Sequence, residues 1–309
     1  MFSGIEEMFA QDGRPLVVDA GPGTDLTIIY RARVFQSDEK LIAALCRPDM
    51  QLGSPPADLA NHGRMNARGR SVFDGANDPK VAIAEVRPPV GSQVAVARFE
   101  IVRPLRLLDL TALSIVDESG SVFDLGLAGR MERAMFLRSL SQRITRPVMP
   151  DDEVFEYLPT QAVADFLATE KDPPLDGILY PSVQAAGDVL NVVLFQKAAR
   201  VSTIEVPSGT EIEASTGEMY DEGWEPRYTV VERVPPQQAK KEDEKDDLWP
   251  DLASFTEAPW TSSDMDLRES ALRIDLESIK VHIVQRVMFE TDEFDVTRHR
   301  WEKRENADF

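Results

Sequence analysis

An α+β fold is what this sequence of 309 residues predicts, on three observations. Segments rich in β-branched and aromatic residues recur along the whole chain. A few helical segments interrupt them. The two kinds do not alternate strictly, as a parallel βαβ sheet would require. With 42% hydrophobic residues the chain can form a real core, so global disorder is excluded.

The elements follow in order. After a short helix-like start, GRPLVVDAGPGTD reads as a strand and a Gly/Pro turn. DLTIIYRARVF, residues 25–35, is a strand on which Arg31 and Arg33 share a face by alternation. Ser37 caps a helix that stops before Pro48. The stretch MQLGSPPADLANHGRMNARG, residues 50–69, is a long loop, and such loops inside a compact domain tend to be functional. Asp78 followed by Pro79 supplies an N-cap and a first-turn proline for the helix ending in Glu85.

Residues 92–102 and 105–110 read as strands, and 127–144 as an amphipathic helix with Met131, Met135, Leu137 and Leu140 on its apolar side. Residues 160–170 form a further helix; DGILYPS and LNVVLF form a strand pair. RVSTIEVPSGTEIEAS suggests a hairpin, and RYTVVERV a strand. ALRIDL and SIKVHIVQRVMFE are strands expected to pair with FDVTRHRW. Between these lies PPQQAKKEDEKDD, a charge-dense run within a flexible linker spanning residues 235–263.

Composition excludes several function classes. With 54 acidic against 34 basic residues the formal charge is −20, unsuited to nucleic acid or anionic membranes. One cysteine, Cys46, and three histidines leave no disulfide and no Cys/His metal cluster in view, so no metal is expected. MFSGIEEMFA lacks the features of a secretion signal and no apolar run reaches spanning length, so a soluble cytoplasmic protein is expected.

Four features carry chemistry: Arg31, the GRMNARG loop, Glu85 and Ser182. A guanidinium fork beside a glycine-rich basic loop suits the oxygens of a pyrophosphate. A half-buried carboxylate suits a sugar carbon becoming cationic during glycosidic cleavage. Ser182, after Pro181, can position a hydroxyl, a phosphate or an amide. Together they fit a nucleotide whose sugar–base bond breaks, with NAD the natural case. Each also has a plainer reading: Arg31 as a surface arginine paired with an acid, Glu85 as a solvated helix residue, Ser182 as a turn residue. Arg64 and Asn66 either contact substrate or anchor the loop, Asn66 through an Asx-type turn. Phe73 and Cys46 read as core, and His62, His282 and His299 as structural.

Several motifs in register resemble the RES-domain family, named for an arginine, a glutamate and a serine. They are IIYRARVF, GRMNARG, SVFDGANDPKVAIAEVRPPVGS, RFEIVRPLRLLDL, RITRPVMPDDEVFEYLPTQAVADFL and LDGILYPSVQAAGDVLNVVLFQ. The resemblance covers roughly residues 25–200 and puts the naming residues at Arg31, Glu85 and Ser182. It implies an ADP-ribosyltransferase-like core of two small antiparallel β-sheets with flanking helices, followed here by a β-rich C-terminal extension. It further implies a bacterial toxin that consumes NAD, releasing nicotinamide, with phosphate, water or a protein side chain as acceptor of the ADP-ribosyl group. A homodimer and a neighbouring antitoxin are implied as well. One departure is specific to this chain: where the family has a tyrosine expected against the nicotinamide ring, VFDGA places Asp74, which implies weakened catalysis.

The sequence thus predicts an N-terminal segment 1–24, a RES-like NAD-binding catalytic domain 25–200 and an extension 201–309. Its predicted activity is cleavage of the nicotinamide–ribose bond, as an NAD phosphorylase or glycohydrolase that depletes cellular NAD. The catalytic residues are Arg31, Glu85 and Ser182, with Arg64, Asn66 and Asp74 binding substrate. A protein ADP-ribosyltransferase and a non-catalytic NAD-binding or interaction module are the alternatives.

Overall fold

The computed structural model describes residues 2, 4–116, 123–182, 184, 189–221, 223–236, 266, 268–288 and 290–301. The linker expected at 235–263 therefore falls almost wholly outside the described residues. The strands are β1 Val17–Ala20, β2 Ile28–Phe35, β3 Phe73–Ala76, β4 Gln93–Ile101, β5 Leu105–Asp109, β6 Gly177–Pro181, β7 Leu190–Leu194, β8 Glu211–Tyr220, β9 Gly223–Arg233 and β10 Leu272–Ile283. The helices are α1 Asp38–Cys46, α2 Pro48–Gln51, α3 Pro79–Glu85, α4 Leu110–Ser114, α5 Leu127–Thr145, α6 Glu153–Glu156 and α7 Leu158–Thr169.

Eight strands form one sheet in the order β1-β5-β6-β7-β3-β2-β4-β10, antiparallel except for the β5–β6 pair, and β8 and β9 form a separate two-stranded sheet. In place of two small sheets there is one large one, for a local reason. β3 pairs with β7 at four positions but with β2 at one, Tyr30↔Ala76. That pair joins a five-strand half to a three-strand half. Gly75 permits the approach, because a Cβ there would lie 2.7 Å from the Tyr30 carbonyl oxygen and collide with Ile29. Continued antiparallel register would set Arg31 against Gly75 and Ala32 against Asp74. Those pairs are absent, so the two strands splay apart at that point.

Alternation on the strands sorts the core. On one face Leu108, Ile178 and Val193 pack with α4, α5, α7 and the N-terminal Phe2 and Ile5, while Ala32, Val94 and Val96 pack with Val81 and Ala82 of α3. On the other, Ile29, Phe73, Phe99 and Leu194 pack with Leu41 and Leu45 of α1. Sequence signals hold locally. The Ser37 hydroxyl caps α1, and Asp78 caps α3 by accepting from the Lys80 and Val81 amides at 2.7 and 3.3 Å, with Pro79 in the first turn.

Residues 1–24, expected as an N-terminal segment, contribute β1, which pairs with β5 along its whole length. Several expectations are corrected. The hairpin expected within 200–215 is instead β8 against β9. FDVTRHRW forms no strand; the strand expected to pair with it, β10, lies along β4 with a bulge between Asp275 and Lys280. Met131 and Met135 are 47% and 66% exposed, and α5 buries Ala134, Leu137, Leu140 and Ile144, one step round the helix. The loop after α1 also contains α2 and a turn of 3-10 helix at Ala57–Leu59.

Candidate active site

Where β2 and β3 splay, a cavity of about 360 Å³ opens. Arg31 and Ala32 line it from β2, Asp74 and Gly75 from β3, and Ala82, Glu85 and Val86 from α3 and its end. Tyr180 of β6 and Asn191 and Val193 of β7 close one side; Gly63, Arg64, Met65 and Asn66 of the loop close another. Residues from five elements and one loop thus meet at the seam between the two halves of the sheet.

Glu85 is the fixed point. At the end of α3, its Oε1 accepts from the Ser182 hydroxyl at 2.6 Å and from the Asn191 side-chain amide at 2.7 Å. Both bonds go to one oxygen, and Oε2 has no hydrogen-bond partner among the described residues. Ser182 is held in turn: its amide donates to the Val189 carbonyl, and its Oγ accepts from the Gln184 amide at 3.1 Å. The serine therefore acts on the carboxylate and does not itself line the cavity. Asn191 must present nitrogen to the carboxylate, which leaves its buried Oδ1 without a partner among the described residues. The sequence reading missed Asn191 and Tyr180. The available signal was a polar residue inside the apolar strand LNVVLF, since asparagine is depleted in strands.

Arg31 and Asp74 make a second, looser unit. The Arg31 guanidinium lies over the Phe73 ring, 4.9 Å from its centroid, and its buried Nη1 has no hydrogen-bond partner among the described residues. Burial pulls its basicity down, as does Arg33, and the Asp74 carboxylate opposes this. Phe73 is core, as expected, edge-on to Phe99 at 4.9 Å. Asp74 opens into the cavity while protein surrounds it at longer range. Removal from bulk water raises its pKa, Arg31 counteracts that, and Glu85 adds to it. The Tyr180 hydroxyl is pushed well above the usual range, first by burial and then by Asp74 and Glu85, so it stays a neutral donor.

Arg64 and Asn66 line the cavity but are committed to the protein. Arg64 lies over the Tyr157 ring and donates to the Ile144 carbonyl and, at 2.8 Å, to that of Arg146. This ties the loop to the end of α5. Asn66 Nδ2 donates to the carbonyls of Asn61 at 2.8 Å and Arg70 at 3.0 Å. Of the two open readings for this pair, these bonds favour loop anchoring.

Among the described residues no group of three or more His, Cys, Asp or Glu is placed to hold a metal ion, and no helix is long and apolar enough to cross a membrane.

Fold and site together define a mixed α+β protein with a polar cavity at a break in its sheet, anchored by an arginine, a glutamate and a serine brought from distant parts of the chain. A family model, RES domain, matches residues 29–216, more than half the sequence, and the chain belongs to that family. No curated protein and no solved structure matches it.

Proposed function

We propose that this chain binds NAD in the seam cavity and cleaves its nicotinamide–ribose bond, acting as a toxin or defence effector that lowers cellular NAD. The observation that carries this reading is the shared cavity: the Arg31 cation and the Glu85 carboxylate both line it, and Glu85 keeps one oxygen free. The splayed sheet, two halves joined at a single residue pair, is also what supports an ADP-ribosyltransferase-like core.

In this reading Arg31 takes phosphate oxygens through the nitrogen that now lacks a partner. Glu85 faces the ribose carbon. When the glycosidic bond breaks, its electron pair stays on the ring nitrogen, neutralising the pyridinium and leaving a cationic sugar. The Glu85 charge stabilises that cation, and an oxygen of phosphate or water adds to it; with water, the released proton passes to Oε2. Ser182 and Asn191 are positioning residues that fix the carboxylate, and positioning with electrostatics carries the rate. The protein works as a cytoplasmic homodimer restrained by an antitoxin.

A second reading, a binding module without catalysis, is favoured by one observation: the Asp74 charge beside Glu85 where the family has an aromatic ring. Proton NMR of NAD incubated with purified protein, with and without inorganic phosphate, tests both. Free nicotinamide with a phosphorylated sugar product identifies phosphorolysis, and nicotinamide with plain ADP-ribose identifies hydrolysis. Label from NAD appearing on protein identifies transfer to a side chain. Unchanged NAD that nonetheless binds in calorimetry leaves the binding module standing.

A further inference from the structure

Three polar groups on residues that line the seam cavity have no hydrogen-bond partner among the described residues. One is a donor, Nη1 of Arg31. The other two are acceptors: Oδ1 of Asn191, on a residue 2% exposed, and the Asp74 carboxylate. Asp74 makes no hydrogen bond and no ion pair among the described residues, and its charged neighbours are Arg31 and Glu85. The Arg31 and Asn191 atoms are buried, a condition uncommon in a native protein, whereas the Asp74 side chain is exposed at the cavity; three such groups on residues lining one void outline a ligand's polar atoms. Here the outline is asymmetric. One cation asks for anionic oxygens, and Asp74 stays close enough to Glu85 for the two carboxylates to feel each other. Once Arg31 turns to a phosphate, the other arginine of the cavity, Arg64, is held by the Ile144 and Arg146 carbonyls over the Tyr157 ring, and neither carboxylate has an ion-pair partner among the described residues. The ligand must then bring positive charge of its own.

From this we infer that Asp74 is a specificity residue that makes the cavity select a ligand with a cationic ring over the same ligand with a neutral one. On the reading of the cavity as an NAD site, on which this rests, the oxidised dinucleotide is taken and the reduced one refused. The pyridinium of the oxidised form offers the compensating charge. The dihydropyridine of the reduced form offers none, and it would desolvate the two carboxylates without return. A role for Asp74 as acceptor for a ribose hydroxyl predicts something different, because both redox forms carry the same hydroxyls.

The test is equilibrium binding of a carbocyclic NAD analogue, which cannot be cleaved at the ribose–ring position, in its oxidised and reduced forms. Wild-type protein should bind the oxidised form about tenfold tighter or more, the scale of an opposite-charge interaction in a partly screened site, and the ratio should shrink as salt is raised. Asp74→Asn, nearly the same in size, should bring the ratio close to one by weakening only the oxidised form. Asp74→Glu should restore the preference, which guards against a folding defect in the asparagine variant. An unchanged ratio in Asp74→Asn, or an equal loss for both forms, overturns the selectivity while leaving the NAD site intact. Failure of wild type to bind either form overturns the NAD reading and the selectivity with it.

Discussion

Asp109 and Asp74 are carboxylates on strands of the same sheet, and the protein treats them in opposite ways. Asp109 ends β5 and caps α4. Its Oδ1 accepts from the Thr111 amide at 2.8 Å, the Thr111 hydroxyl at 2.7 Å and the Ala112 amide at 3.3 Å, and its Oδ2 from Arg14 at 3.2 Å. Both oxygens accept hydrogen bonds inside the chain. Asp74 is exposed at the seam with no such partner among the described residues, on a cavity that Arg31 and Asn191 also line, each with a buried atom that makes no hydrogen bond. The pairing at Asp109 is stability stored in the fold. The vacancies at the seam are binding capacity, kept at the expense of stability.

The largest effect should come from exchanging the two kinds of site. Glu85→Ala should lower the rate of NAD cleavage by about 10²–10³-fold, the usual cost of losing a group that stabilises transition-state charge. Its thermal stability should fall less than that of Asp109→Ala, since the space left by the Glu85 side chain opens on the cavity and admits water to the Ser182 hydroxyl and the Asn191 amide. Asp109→Ala should do the reverse, losing about 1–2 kcal/mol in a denaturant melt through the cap and the arginine contact while leaving NAD affinity unchanged. Equal stability losses in the two variants would break the distinction.

Gly75→Ala should cost about 1–3 kcal/mol, as overpacking does in a tight interior. The added methyl meets Ile29 and the Tyr30 carbonyl, the very contacts that let β2 and β3 meet at one pair. Because this glycine also lines the cavity, NAD binding should weaken in the same variant. Wild-type melting together with wild-type binding would mean that the single Tyr30↔Ala76 pair does not set the seam.

Local signals were legible in the sequence wherever the cause was local. Ser37 and Asp78 cap the helices they precede because capping depends on residues two or three positions away. Strand identity for β2, β4, β6 and β7 followed from β-branched content, and Arg31, Glu85, Asp74, Arg64 and Asn66 do line one cavity. Pairing across long separations was not legible. Nothing in ALRIDL says that it runs beside β4, more than 150 residues earlier, instead of beside the nearer FDVTRHRW. The same holds for Asn191, whose importance comes from meeting Glu85 across 106 residues. The face of α5 was misjudged because Met131 and Met135 fit the helical period but lie just off the side that the sheet covers.

The smallest effect sharpens the comparison most. Burial and Glu85 raise the pKa of Asp74 over its unfolded value, with Arg31 only partly offsetting them. A carboxyl with a raised folded pKa binds its proton more tightly in the native state, so stability falls as pH rises from the unfolded to the folded value, and above both the full penalty remains. At neutral pH Asp74 is therefore a net destabiliser. Asp74→Asn should melt slightly higher than wild type at pH 7, by no more than about 1 kcal/mol because cavity water screens the charge. That advantage should disappear as the pH is lowered through the carboxylate range and wild-type Asp74 takes up its proton. Asp109→Asn should lose stability at neutral pH, since both carboxylate oxygens accept hydrogen bonds inside the chain. A gain from Asp109→Asn at neutral pH, or a loss from Asp74→Asn, would show that satisfied and unsatisfied carboxylates do not divide this sheet into scaffold and site.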